Sequence, residues 1–293
     1  MDEKQGPLYG GRHRRVLDHP DHRDGVNHGT MTLIRISDLA PSVVRLTATV
    51  DHEGDRDRWR VTNPAIRLEL PDVTSTDTVS RVYTVRSCHI DDEIVIEVDV
   101  VRHAGSSPVM QWLEHATVGT SVRILGPRPH FCPPFVDGVP VGMFADETAI
   151  PALATILRDW PDGHPGEAWV QTPDEAVVSD LPQRESVTVH WIRRPAAVEA
   201  GTTGSLVAAA LEFSDAHPAE VTVWACGEHD EMRRIRNHFR RERAMTRAEV
   251  EVFGYWRRHL TSSEIDEARL RRYERELERN PRMTVLDDFD VED

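Results

Sequence analysis

Ser80-Arg81-Val82-Tyr83-Thr84-Val85-Arg86-Ser87-Cys88-His89 is the stretch from which the fold is read. Val, Tyr and Thr in close succession favour a strand, and side chains on a strand alternate between faces. Arg81, Tyr83 and Val85 therefore share one face, and Val82, Thr84 and Arg86 the other. One face offers a cation beside a flat amphipathic ring; the other offers a hydroxyl beside a second cation. A flavin dinucleotide asks for that mixture: an aromatic wall, donors to the ring edge, and guanidinium groups for a pyrophosphate. A solvated strand with two surface arginines satisfies the same six residues equally well, so the neighbouring sequence has to decide.

Working outward, Val43–Val50, Ala65–Leu70, Val79–Arg86, Ile94–Val101 and Val122–Leu125 are short runs rich in Val, Ile, Leu and Thr. Turn formers such as Asp51-His52-Glu53-Gly54-Asp55 and Pro71-Asp72 separate them. Many short strands in succession predict a closed or nearly closed antiparallel β-barrel. One helix is predicted within them, over about Pro108–His115, with proline placed for a first turn. After Pro133-Pro134 the rhythm changes. Val139–Phe144, Glu167–Gln171, Val187–Trp191, Val221–Cys226 and Val250–Phe253 read as strands. Thr148–Trp160, Gly204–Phe213 and His229–Arg243 read as helices between them. Strand–helix alternation predicts a parallel sheet with helices on its faces. The expected organisation is a flexible extension over 1–30, a barrel domain over 31–133, an α/β domain over 134–260, and a charged segment over 261–293. In the last, Ser262–Asn280 reads as a helix and Asp287–Asp293 as an acidic tail.

The chain has 293 residues, 39% hydrophobic and 29% charged, which suits a soluble globular protein with two cores. A formal net charge of −15 argues against nucleic acid or an anionic membrane as a general partner. No apolar run is long enough to span a bilayer, and the N-terminus lacks an apolar leader segment. Three scattered cysteines, Cys88, Cys132 and Cys226, indicate neither a disulfide framework nor a zinc site. A cytoplasmic protein, monomeric or weakly dimeric, is the expectation. His13, His19, His22 and His28 have irregular spacing, for which adventitious metal contact is the better reading.

Arg-x-Tyr-Thr-x-Arg at Arg81–Arg86 resembles the flavin signature of the siderophore-interacting protein family, FAD-containing ferric-siderophore reductases. Gly126-Pro127-Arg128, Asp146-Glu147-Thr148-Ala149-Ile150-Pro151-Ala152, Trp224-Ala225-Cys226-Gly227-Glu228 and Gly254-Tyr255-Trp256-Arg257 follow in that family's order. The resemblance covers roughly Leu33 to Arg258. It implies a flavin barrel followed by a nicotinamide-dinucleotide domain, the architecture of the ferredoxin-reductase superfamily. It further implies that Arg81, Tyr83, Thr84 and Arg86 hold FAD. Asp146, Glu147 and Thr148, at a strand end that opens a helix, are then candidates for a dinucleotide phosphate, though a plain helix cap explains them too. Cys226, Gly227 and Glu228 become candidates for the nicotinamide side, with a buried structural thiol as the alternative for Cys226. Tyr255 and Trp256 are assigned to the redox cleft, and Arg128 and Arg257 to an anionic ferric chelate.

The departures from the pattern are concentrated in His103-Ala104-Gly105-Ser106-Ser107-Pro108-Val109-Met110-Gln111-Trp112-Leu113. The family has His-Gly-x-x-Gly-Pro-Ala-Ser-x-Trp-Ala here, and holds the flavin pyrophosphate with it. His103, Pro108 and Trp112 are kept. Ala104 and Ser107 replace glycines, Val109 replaces alanine and Met110 replaces serine, leaving Ser106 and Ser107 as substitute hydroxyls. Pro129 and Ala145 also stand where the family has glycine. A lost hydrogen bond to a charged group is worth about 1.5–3 kcal/mol, roughly one to two decades in affinity. The expected function is an FAD-containing reductase that takes hydride from NADH or NADPH and passes electrons to a ferric siderophore. The alternatives are a redox-inactive homologue that shapes a small molecule in the old cleft, and a flavin reductase that feeds a separate oxygenase.

Overall fold

The computed structural model describes residues 27–52, 54–71, 78–103 and 107–260, together with Glu264, Arg271 and Arg275. The expectations for the extension up to residue 26, for Ala104 and Ser106, for the Ser262–Asn280 helix and for the acidic tail lie outside these residues.

The first unit is a closed antiparallel barrel of six strands in the order β1-β2-β5-β4-β3-β6. These are β1 (His28–Ala40), β2 (Val43–His52), β3 (Pro64–Pro71), β4 (Thr78–Ile90), β5 (Ile94–Val101) and β6 (Ser121–Pro129). Alternate residues fill the interior: Leu46, Ala48, Ile66, Leu68, Ile96 and Val98 are all fully or almost fully buried. Helix α1 (Pro108–His115) sends Val109 into that core. The strand reading names five of the six strands and leaves out β1. Arg35, Ser37 and Asp38 break its apolar alternation, and β-bulges interrupt its pairing with β2.

The second unit is a five-stranded parallel sheet in the order β11-β10-β7-β8-β9. Its strands are β7 (Val141–Asp146), β8 (Gly166–Thr172), β9 (Val187–Arg193), β10 (Thr222–Glu228) and β11 (Val250–Trp256). Helix α2 (Ile150–Arg158) packs on one face with Met143, Ala145 and Trp224. Helices α4 (Ser205–Ala216) and α5 (His229–Asn237) pack on the other with Phe144, Val223 and Val252. A five-residue helix absent from the sequence reading, α3 (Glu175–Ser179), follows β8. The long helix expected over His229–Arg243 is α-helical only to Asn237. A π turn over His238–Glu242 then buries Phe239, and Arg240 donates to the Val250 carbonyl.

The two units share a core. Ala40 and Val43 of the barrel belong to the same buried cluster as α2 and the sheet, and α2 packs directly against β4. The strand that carries the Arg81–Arg86 motif is thereby set against the helix that opens after Asp146. In an open α/β sheet, ligands collect at the carboxyl ends of the strands where the order reverses. Here that point lies between β7 and β10, at Asp146 and Gly227-Glu228.

Candidate functional site

On the barrel side, β4 keeps the predicted alternation. Arg81 and Val85 are buried, Tyr83 lies against the barrel core, Thr84 is half-buried, and Val82 is exposed. Arg81 Nη1 donates to the Ser80 carbonyl at 2.8 Å, and Arg67 Nη1 donates to the Ser80 hydroxyl at 3.2 Å. Arg128 sits opposite Ala65 on the neighbouring strand, and its guanidinium pKa is lowered by burial and by the like charge of Arg67. Arg67 and Arg128, on β3 and β6, thus share the barrel face of Val82 and Thr84, a field that favours an anion, while Arg81 lies on the face of Tyr83. Burial pushes the Tyr83 phenol well up, with Arg81 offsetting only part of the shift. Its ring is a neutral wall over any accessible pH.

The altered pyrophosphate segment behaves differently from its sequence. Val109 is 4% exposed, and Met110 and Trp112 pack against the same core, so the added bulk is absorbed by the barrel interior. Ser107 is the N-cap of α1: its hydroxyl accepts from the Met110 N–H at 3.3 Å and lies 3.4 Å from His103 Nε2. The segment retains a helix start, a hydroxyl and an imidazole around the place where a phosphate is expected. With Arg81 beside Tyr83 and the Arg67–Arg128 pair, these residues fit a flavin dinucleotide.

Arg86, expected to serve the pyrophosphate, is instead engaged at the seam between the units, where it donates to Asp180 and lies 3.2 Å from Asp99. The sequence reading named neither Asp180, Asp99 nor Arg45, their common partner. A signal was present, since Val44-Arg45-Leu46 and Val98-Asp99-Val100 each place one charge inside an apolar strand.

On the sheet side, the Asp146 carboxylate is 3% exposed. It accepts from Thr148 N at 2.8 Å, Thr148 Oγ1 at 2.5 Å and Trp256 Nε1 at 2.7 Å, and from the Glu228 backbone. Burial raises its pKa against the pull of those donors. The Asp146–Thr148 bonds close a turn, which is why α2 starts at Ile150 and not at Thr148. The Glu147 carboxylate receives both its bonds from Arg194 Nη2, at 2.9 and 2.7 Å. Glu228 caps α5, accepting from Asp230 N at 2.8 Å and Glu231 N at 3.1 Å. Asp146, Thr148, Gly227, Glu228 and Trp256 are therefore brought together, with the Glu147–Arg194 pair beside them.

Two of the predicted contacts have another explanation. A Cβ on Gly227 would lie 2.8 Å from Asp146 Cγ and Oδ2, so the glycine is required by the buried carboxylate whether or not a ligand approaches. Gly227→Ala is accordingly expected to destabilise the fold by about 1–3 kcal/mol, read as a lowered denaturation midpoint. Cys226 is fully buried, its thiol is pushed far up by burial, and it faces Tyr255, whose phenol also meets Asn63 of the barrel. Cys226 and Tyr255 thus tie the last two sheet strands to the barrel. Arg257 is half-buried beside His229, whose pKa is lowered by burial and, in part, by that guanidinium. Glu231, not singled out from sequence, lies buried next to Asp146 and Glu228. Among the described residues no cluster of His, Cys, Asp and Glu suits a metal ion, and no helix is long and apolar enough to cross a membrane.

Comparison with known proteins finds two family models on this chain. The siderophore-interacting FAD-binding domain matches residues 70–131, and the siderophore-interacting protein model matches residues 140–259. Ferric acinetobactin reductase of Acinetobacter baumannii is 34% identical over 276 residues, 94% of each chain. A solved siderophore-interacting protein from the same organism superposes with a TM-score of 0.79 at 34% identity, covering 86% of this chain and 99% of that one. The Amycolatopsis cytochrome P450 reductase GcoB shares the fold, with a TM-score of 0.56 at 18% identity over 77% of this chain and 69% of its own.

Proposed function

The chain belongs to the siderophore-interacting protein family, an oxidoreductase family, and on that premise we propose that it is a flavin-dependent reductase that draws hydride from NADH or NADPH and releases iron from a ferric siderophore. The observation that carries this reading is the packing of β4, with its Arg81–Tyr83–Thr84 motif, against α2, the helix that opens at the ligand-collecting edge of the parallel sheet. Arg81 would hold the FAD pyrophosphate together with Ser107 and the start of α1. Tyr83 would supply an apolar wall and Thr84 a hydroxyl. Thr148, Gly227 and Glu228 would line the nicotinamide side, where Trp256 is fixed by its bond to Asp146. Arg128 and Arg257 would favour an anionic ferric chelate.

Bound flavin accepts two electrons as hydride and returns them one at a time, which matches a nicotinamide donor to a one-electron metal acceptor. One NAD(P)H thus reduces two ferric chelates. Fe(II) is less highly charged than Fe(III) and is held more weakly by hard oxygen ligands, so reduction is release. The protein's residues bind, orient and screen; none has to move a proton in this scheme.

The test is the visible spectrum of the purified protein after addition of FAD and desalting. Retained oxidised-flavin bands that bleach anaerobically with NADH or NADPH, and return on adding a ferric siderophore, are the expected result. A colourless protein that retains no FAD overturns the reading.

A further inference from the structure

A buried charge cluster outside the cleft lies where the barrel meets the sheet. Arg45 on β2, Asp99 on β5 and Arg86 on β4 stand on three neighbouring strands. Arg45 donates through Nε and Nη2 to Asp99 Oδ1 and Oδ2 at 2.7 and 2.9 Å, and Arg86 Nε lies 3.2 Å from Asp99 Oδ2. Two guanidinium groups against one carboxylate leave the barrel face with one uncompensated positive charge. The missing carboxylate comes from the other unit: Asp180, the residue that closes α3. Its Oδ2 accepts from Arg45 Nη2 at 2.7 Å and from Arg86 Nη2, which also donates to the Asp180 carbonyl at 2.7 Å.

The other end of α3 is held in the same way. Asp174 occupies the N-cap position, yet its side chain makes no bond to its own helix. Its Oδ2 instead accepts from Ser42 N, in the β1–β2 turn, at 3.0 Å. A helix of five residues is thus pinned to the barrel by a carboxylate at each end. It sits at the carboxyl edge of the sheet, directly after β8. The side chains of Arg45, Asp99 and Arg86 are 11%, 3% and 10% exposed. At that depth a charge is costly without its partner, and a buried ion group serves to select one arrangement over others. The rest of the seam combines apolar packing with bonds from neutral donors, such as Thr62 Oγ1 to Asp159 at 2.8 Å and Asn63 N to Thr155 Oγ1 at 3.0 Å.

We infer that Asp180, through Arg86 and Arg45, is a positioning residue that fixes the angle at which the nicotinamide unit meets the flavin barrel, with Asp174 holding the other end of the same helix. This rests on the hydride-transfer reading above. It also gives Arg86 a part in the reaction without contact to flavin.

The experiment compares wild type with Asp180→Asn, which keeps size and removes charge, and with Asp180→Glu, which keeps charge. Asp180→Asn is expected to retain wild-type FAD content. Reduction of its flavin by NAD(P)H should slow about 10–100-fold, the cost of small misplacement at a reacting centre, with a much smaller change in nucleotide KM. Reoxidation of dithionite-reduced flavin by a ferric siderophore should keep its wild-type rate. Asp180→Glu should recover part of the loss. FAD loss in Asp180→Asn, or unchanged reduction kinetics, overturns the inference. If Asp180→Asn does not fold, Asp174→Asn carries the same comparison with a smaller expected effect, and unchanged reduction there is equally fatal. Should wild-type flavin resist NAD(P)H, the functional reading fails by itself. The latch is then judged by hydrogen–deuterium exchange, where faster exchange in β4 and residues 174–181 of the variant supports it and identical exchange overturns it.

Discussion

Arg81→Ala is expected to raise the dissociation constant for FAD about 10–100-fold, while Arg86→Ala leaves it near the wild-type value. The two arginines are five residues apart in one motif, but the structure gives them different neighbours. Arg81 lies on the strand face of Tyr83, beside its ring, and donates to the Ser80 carbonyl. It is the cation of the motif set beside the Tyr83 ring, so its removal is expected to fall on an anion held at that face. A charge-assisted bond to phosphate is worth about 1.5–3 kcal/mol, which gives the stated factor. Arg86 is committed to Asp180 and Asp99, so its removal leaves the buried Asp99 carboxylate to Arg45 alone and lowers stability. Flavin-fluorescence titration at a temperature where both variants are folded separates these effects. Tyr83→Phe serves as the reference, because it keeps the ring against the barrel core and is expected to bind FAD normally. Equal affinity in Arg81→Ala and wild type would place the pyrophosphate elsewhere.

The architecture was legible because each unit has a strong local signature. The period-two runs at Val43–Val50 and Ile94–Val101 give half-buried strands in neighbouring register, and the alternation after Val139 has no other economical packing than a parallel sheet. What was not legible has physical causes. β1 carries Arg35, Ser37 and Asp38 and is bulged, so its periodicity is broken by the same irregularity that bends it around the barrel. α3 is too short to show any helical period, and its role depends on two aspartates whose partners lie at least 94 residues away.

For the candidate site, the motifs named residues that the structure brings together, but not the neighbours each of them serves. Asp146, Thr148, Gly227, Glu228 and Trp256 do converge, because two strand ends and the last strand meet there. Sequence could not show that Gly227 makes room for Asp146, or that Cys226 points at Tyr255. Both depend on neighbours in space that spacing along the chain does not encode. The bulk introduced by Val109 and Met110 reads from sequence as an obstacle to phosphate, yet it lies in the barrel core. A helix has two faces, and the difference between narrowing a site and filling a core is which face a residue occupies.

Glu231→Gln is expected to stabilise the protein at alkaline pH and to lose that advantage in acid. Glu231 is 3% exposed, on the first turn of α5 beneath the loop that leads to α4. Burial is the main reason its carboxyl is raised to about 7. The neighbouring carboxylates of Asp146 and Glu228 add to the shift. The Gly204 N–H approaches without forming a full hydrogen bond, and with Arg234 it offsets only part of the rise. Raising an acid's pKa on folding means that the folded state binds the proton more tightly than the unfolded chain. Stability from this group is therefore complete below its ordinary value of 4.5, declines as pH climbs from 4.5 to about 7, and is absent above. The span corresponds to about 3 kcal/mol. The neutral amide never has to be ionised in the interior. Its melting temperature should exceed wild type by on the order of 5–10 °C at pH 8, with the two curves converging near pH 4.5. A Glu231→Gln variant that melts below wild type across that whole range would mean that the ionised carboxylate is stabilised in place, and that the acidic edge of the sheet draws a cation or donor to itself.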